Sequence, residues 1–244
     1  MQSSFTYKSL RLVVRTTSCI VTTPPSISSH TTTSRVLVVP GNTALCGTAF
    51  PYFPHPEFDE NNPTQLPKDV PPSSWGGVSI GDHQFYPIQC IDGTLQLEAP
   101  EIRKLTKHMT CQVGNAIMTK APTVLSHYDA ICHVVPPLYN VGARHDEEHQ
   151  RTQQQLLQKS YLSALQTTLL DDLGDGVVVA MPLLGCGSRG AAPEDSITAA
   201  IAALEELPSS CTGTIEFSMQ RKDLAEQLLA SLLGMICSCS GTED

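Results

Sequence analysis

The run Pro182-Leu-Leu-Gly-Cys-Gly-Ser-Arg-Gly190 follows the apolar stretch Val177–Met181 and precedes Pro193-Glu-Asp195. This order reads as a strand, a glycine turn and the start of a helix. Backbone N–H groups in such a turn can converge on one anion, often a phosphate. Gly185, Gly187 and Gly190 lack a Cβ and so permit close approach and positive φ. The spacing matches neither GxGxxG nor GxxxxGK[ST], so neither the dinucleotide fingerprint nor the P-loop applies. An ordinary tight turn accounts for the same residues about as well. Arg189 reads either as a phosphate partner or as a solvated side chain. Cys186 opens a different chemistry: a thiol at a strand-to-helix turn can be acidified and attack as thiolate, with His133 as base. Leu184 and Ser188, however, stand where a nucleophile elbow needs glycine. His133 lies inside the apolar run YDAICHVV and reads better as a core histidine.

Three further points in the chain combine glycine with a polar partner. Gly41 and Asn42 end the apolar run Val36–Val39 behind Pro40. Trp75-Gly76-Gly77-Val78 is a second glycine turn. Asp92-Gly93 is a turn signal within Ile91–Leu95. Asn42 and Asp92 are each either site residues or plain turn formers. The nine cysteines include no CxxC pair, which argues against a zinc ribbon or a thioredoxin-type site. Cys237 and Cys239 make two ligands at most, and no metal or cofactor is expected.

Short apolar runs alternate with helical periodicity along the chain. Leu10–Val14 reads as an opening strand, and Cys19-Ile20-Val21 as the loop leaving it. Arg35–Pro40, Gly114–Thr119, Tyr128–Val135, Val177–Met181 and Thr214–Met219 read as further strands. A helix is expected from Leu97 to His108, with Pro100 near its start. Others are expected at Gln153–Leu173, from Pro193, where proline suits the first turn, and at Asp223–Leu233. The segment from 47 to 75, with its many prolines, has no period and reads as a surface insertion. The class is therefore an α/β sandwich, divided as an N-terminal segment 1–35 of strand and loop, one domain over 36–235 and a tail over 236–244.

With 41% hydrophobic residues, the chain of 244 residues can bury a sizeable core. Its net charge of −9 argues against binding a nucleic-acid backbone. It does not exclude a small anion held by backbone dipoles. No apolar run approaches the roughly 18 residues of a membrane span, so no membrane partner is expected. Scattered cysteines point to a reducing, intracellular setting, with the cytoplasm favoured. The first 35 residues hold Lys8, Arg11, Arg15 and Arg35 and no acid, a composition that also fits an organelle transit segment.

In order along the chain, several of these segments resemble the macro domain, the ADP-ribose-binding module. Val38-Val-Pro-Gly-Asn42 resembles the family's VNAAN strand end. Cys111–Thr119 is similar to its C-x-x-G-x-A-x-x-T segment, and Ile131–Pro137 to its I-I-H-x-V-G-P strand. Pro182–Gly190 resembles its diphosphate loop, and Thr214–Ser218 with the helix behind it the closing unit. The resemblance implies a three-layer α/β/α sandwich with a mixed, mostly parallel central sheet. It implies that Leu184, Gly185, Cys186, Gly187, Ser188, Arg189 and Gly190 cradle a diphosphate. Gly41, Asn42, Gly76, Gly77, Val78 and Asp92 would surround the distal ribose. Asn42 and Asp92 would position a water or a ribose hydroxyl if ADP-ribose linkages are hydrolysed. The implied partner is ADP-ribose or an ADP-ribosylated protein. The family's adenine-reading Asp has Ser18-Cys19-Ile20 in its place, and Val39 replaces the first Asn of VNAAN. A degenerate fold acting as a protein-interaction scaffold is the alternative.

Overall fold

The computed structural model describes residues 1–26, 33–45, 78–80, 83–85, 91–139, 147–170, 176–187 and 189–239. Gly76, Gly77, Ser188 and the proline-rich segment lie outside the described residues. So do residues 171–173, the expected end of the helix from Gln153.

The chain opens with a hairpin, where one strand was expected. β1 (Gln2–Tyr7) and β2 (Leu10–Thr16) pair antiparallel, with Tyr7 opposite Leu10. Lys8 takes φ of 52° in the connecting turn. Its Nζ donates to the carbonyls of Glu205 and Leu207, each at 2.8 Å, at the carboxyl end of a later helix. A cation there meets the negative pole of the helix. Residues through Thr16 are thus built into the main sheet.

That sheet has seven strands in the order β1-β2-β9-β8-β3-β7-β6. The others are β3 (Arg35–Pro40), β6 (Ala116–Lys120), β7 (Ala130–Val134), β8 (Val178–Met181) and β9 (Gly213–Met219). β2, β9, β8, β3 and β7 run parallel, and β1 and β6 are antiparallel edges. β4 (Val78–Ile80) and β5 (His83–Phe85) form a separate two-stranded hairpin.

Burial on both faces explains the continuous apolar runs. Val36 and Val38 face one way, with Leu12, Val179 and Phe217, against α3 (Glu147–Leu169), α4 (Pro193–Glu206) and α5 (Lys222–Cys239). Leu37 and Val39 face the other way, against Leu95, Ile102 and the loop residues Ile20 and Val21. The architecture is the mixed, mostly parallel sandwich read from the sequence.

Three helices differ from expectation; α3 begins at Glu147 where Gln153 was expected. The helix expected from Leu97 to His108 is two shorter ones, α1 (Ile91–Glu98) and α2 (Ile102–Thr106). Pro100 sits at the break because it has no N–H to continue the ladder. Asp92-Gly93 consequently lies in the first turn of α1 and is not a loop turn. α5 runs on to Cys239, so residues 236–239, expected as tail, are helical; Met235, on the same helix, is buried. Among the described residues, no helix is long and apolar enough to cross a membrane, and no cluster of three metal-ligating side chains occurs.

Candidate functional site

The glycine turn joins β8 to α4, and its shape is set from beneath. Tyr161 on α3 is wholly buried, and its hydroxyl is 2.6 Å from Ser196 Oγ on α4. The Leu184 N–H donates to the same Tyr161 oxygen at 2.6 Å, and Ser196 Oγ donates to the Leu184 carbonyl at 2.7 Å. Three elements therefore meet on one hydroxyl. The turn then closes on itself, with Ala191 N–H on the Gly185 carbonyl and Gly190 N–H on the Gly187 carbonyl, both at 3.0 Å. Gly185 has φ of 83°, and an added Cβ would lie 3.1 Å from Ala191 Cβ and 3.2 Å from Leu157 Cδ1.

These bonds sort the expected donors. Leu184 is buried and its N–H is committed to Tyr161, so it leaves the anion-binding set. The Gly190 N–H is committed within the turn. The N–H groups of Gly185, Cys186 and Gly187 make no hydrogen bond among the described residues. They are three successive donors at the carboxyl end of a parallel strand, where α/β sheets bind ligands. Pro193 occupies the first turn of α4, as read from the sequence, and Glu194 and Asp195 there already face the helix's positive end.

Cys186 and Gly187 border a cleft of about 230 Å³ at the carboxyl ends of β2, β8 and β9. Its walls are Ile20, Val21, Ile91, Leu183, Met219 and Leu224, and Thr17, Thr94, Ser218, Gln220 and Arg221 supply polar groups. Arg221 pairs with Asp223, Nε to Oδ1 at 3.1 Å. Beneath it, Glu216 has no exposed surface and pairs with Arg15 at 2.8 Å.

Asp92 is 6% exposed, and its Oδ2 has no hydrogen-bond partner among the described residues. Burial pushes its carboxyl up to about 6; Gln96, one turn on, and the charges of Arg189 and Arg103 pull the other way. A Cβ on Gly41 would lie 3.8 Å from that Oδ2, so α1 and the end of β3 meet here. Arg189 crosses from the glycine turn and donates to the Gly41 carbonyl. It is neither a solvated side chain nor one spent on an anion alone. Asn42 is 3% exposed, and its Oδ1 accepts the Ala44 N–H at 3.0 Å. That is an Asx turn, the turn-forming role weighed for it. The structure thus brings Gly41, Asp92 and Arg189 together. Val78 lies in β4.

The Cys186–His133 pair is not assembled. His133 Nε2 is 2.9 Å from Thr119 Oγ1, and burial lowers its pKa to about 4. Burial raises the Cys186 thiol to about 11. His133 is the satisfied core histidine expected. The Tyr161–Ser196 support and the Arg15–Glu216 pair had no signal in the sequence: Tyr161 reads as one more apolar position of a periodic helix.

Fold and site define an α/β sandwich with an apolar cleft and a glycine turn of uncommitted amides at its parallel strand ends. Residues 90–200 match the family model described as Macro domain. Among solved structures, a glycine-to-valine mutant of the Oceanobacillus iheyensis macrodomain with ADPR is similar at a TM-score of 0.64 and 15% identity, over 97% of this chain and 99% of that one. The same macrodomain with ADP gives a TM-score of 0.60 and 15% identity, over 98% of each chain. A Trypanosoma brucei macrodomain in complex with ADP gives 0.54 and 16%, over 92% of this chain and 69% of that one. No curated protein matches the sequence. The chain has the macrodomain fold and carries the Macro domain signature across its middle.

Proposed function

We propose that the cleft binds ADP-ribose or a related nucleotide diphosphate. The observation that carries this reading is the run of N–H groups at Gly185, Cys186 and Gly187, which have no acceptor among the described residues, the last two on the cleft's border. Anions suit such a turn because the donors are fixed before the ligand arrives. The diphosphate lies on these amides. The base occupies the apolar slot between Ile20, Val21 and Leu224, and the distal ribose points toward Gly41, Asn42 and Asp92. Ligands named for similar proteins, ADPR and ADP, agree with this chemistry. Isothermal calorimetry with ADP-ribose, ADP and AMP tests it. Binding is expected for the two diphosphates and weaker binding for AMP; no heat from any of the three would sink the reading.

A second reading, hydrolysis of an ADP-ribose linkage on a protein, is favoured by Asp92. A buried carboxyl held near 6 with one unpartnered oxygen suits proton transfer close to neutrality. Turnover of an ADP-ribosylated peptide by the native chain and by Asp92→Asn tests it. A loss of on the order of a hundredfold is expected from the variant; equal rates would leave binding as the only activity.

A further inference from the structure

We infer that Glu216 is a positioning residue for the nucleotide: it holds the loop from Thr17 to Ser26 where Ile20 and Val21 wall the cleft. This rests on the nucleotide reading above. The loop has no regular secondary structure, yet Thr17, Cys19, Ile20 and Val21 all line the cleft. Such a wall keeps its shape only if its main chain is tied down from outside. At its start the Thr17 N–H donates to the Met219 carbonyl at 2.9 Å, and the Ser18 carbonyl accepts from Gln220 Nε2 at 2.8 Å. In its middle Tyr128 Oη donates to the Ile20 carbonyl at 2.6 Å. At its far end Glu216 Oε2 accepts the Ser26 N–H, at 2.7 Å, and the Ser26 hydroxyl as well.

The far tie is unlike the others because its acceptor is a fully buried carboxylate. Glu216 alternates with Ile215 and Phe217 along β9. It lies opposite Ala180, which packs in one cluster with Ile20 and Val21, so the carboxylate is on the loop's side of the sheet. Its other oxygen accepts from Arg15 Nε at 2.8 Å and from Ser218 Oγ at 3.0 Å, and Ser218 itself lines the cleft. A buried ion pair adds little to stability over apolar side chains of the same volume. What this pair adds is a charged acceptor for two donors of one loop residue, and such hydrogen bonds are the stronger kind. A loop fixed before the ligand arrives spares the cost of ordering it on binding.

A titration with ADP, followed through backbone amide resonances, compares the native chain with Glu216→Gln. The variant is expected to bind ADP about tenfold more weakly. At saturation the Gly185–Gly187 amides are expected to shift as in the native chain, and those of Ile20 and Val21 far less. An affinity within about twofold of native, or native shifts at Ile20 and Val21, overturns the inference. Equal loss at both sets of amides would mark general damage and overturns it too. In each case ADP binding by the native chain leaves the nucleotide reading standing; absence of that binding overturns both. Because Glu216→Gln leaves Arg15 without its counter-charge, a second variant, Arg15→Met with Glu216→Leu, removes the pair whole and keeps the core filled. It also deprives Ser26 of its acceptor, so the same split between the two sets of amides is expected. Native affinity and shifts in this variant overturn the role given to Glu216.

Discussion

The Arg189 guanidinium donates to the carbonyl of Gly41, a residue 148 positions earlier in the chain. This contact ties the turn after β8 to the turn after β3, above the buried carboxyl of Asp92. Its charge is one of those that hold Asp92 down against desolvation. Arg189→Gln is therefore expected to raise the Asp92 pKa further. Carboxyl chemical shifts followed by NMR across pH 4 to 8 would show it; an unmoved midpoint would mean the two groups are electrostatically independent.

Asp92 also makes stability depend on pH. Burial raises its carboxyl from 3.8 to about 6. Between those values the folded state binds more protons than the unfolded chain, so stability falls as pH rises through this window. The deficit is complete above about pH 6 and amounts to roughly 2–3 kcal/mol. Asp92→Asn removes this dependence and is more stable than the native chain at pH 7. Urea denaturation at pH 4.5 and 7.5 measures both; a variant with the native pH slope would contradict the assignment.

The two central glycines of the turn differ in what they tolerate. Gly185→Ala places a Cβ at a positive φ and against Ala191 and Leu157, and is expected to cost about 1–3 kcal/mol. Gly187 has nothing within 4 Å of an added Cβ, so Gly187→Ala leaves the melting temperature within about a degree of native. Because Gly187 borders the cleft, the same change is expected to weaken diphosphate binding. Parallel melts and titrations separate the two effects, and equal melting temperatures would refute the packing argument.

Tyr161→Phe keeps the ring and deletes the hydroxyl shared by Leu184 N–H and Ser196. It leaves a buried N–H without an acceptor, at a cost of about 1–3 kcal/mol. Loss of nucleotide affinity is expected alongside, since the turn is seated on that oxygen. A stable variant with native affinity would show that the turn keeps its shape without this support.

The strand, turn and helix of Val177–Ala200 were legible because β-branched run, glycines and first-turn proline all point to one local structure. The sheet was largely legible too: Val36–Val39 is apolar on both faces, and Thr214–Met219 reads as a strand. The helix start was placed at Leu97 where α1 begins at Ile91, because Asp92-Gly93 reads as a turn when the α1 contacts with β3 are unseen. Tertiary packing outweighs the glycine's low helix propensity there. Asn42 offered two roles with one side chain, and the Ala44 N–H, two residues on, claims its oxygen. The Arg15–Glu216 pair joins residues distant in sequence, and nothing local in either strand announces it.

β9 comes late in sequence yet sits third in the sheet, between β2 and β8. Until Gly213–Met219 leaves the ribosome, the opening hairpin has no strand to join. The β3–β8 half must wait with an open, hydrogen-bonding edge. Such non-local closure slows folding and lengthens exposure to misassociation. Shortening the chain ahead of Gly213 would therefore do more than remove one strand: it would detach β1 and β2 and take apart the cleft that stands on their ends.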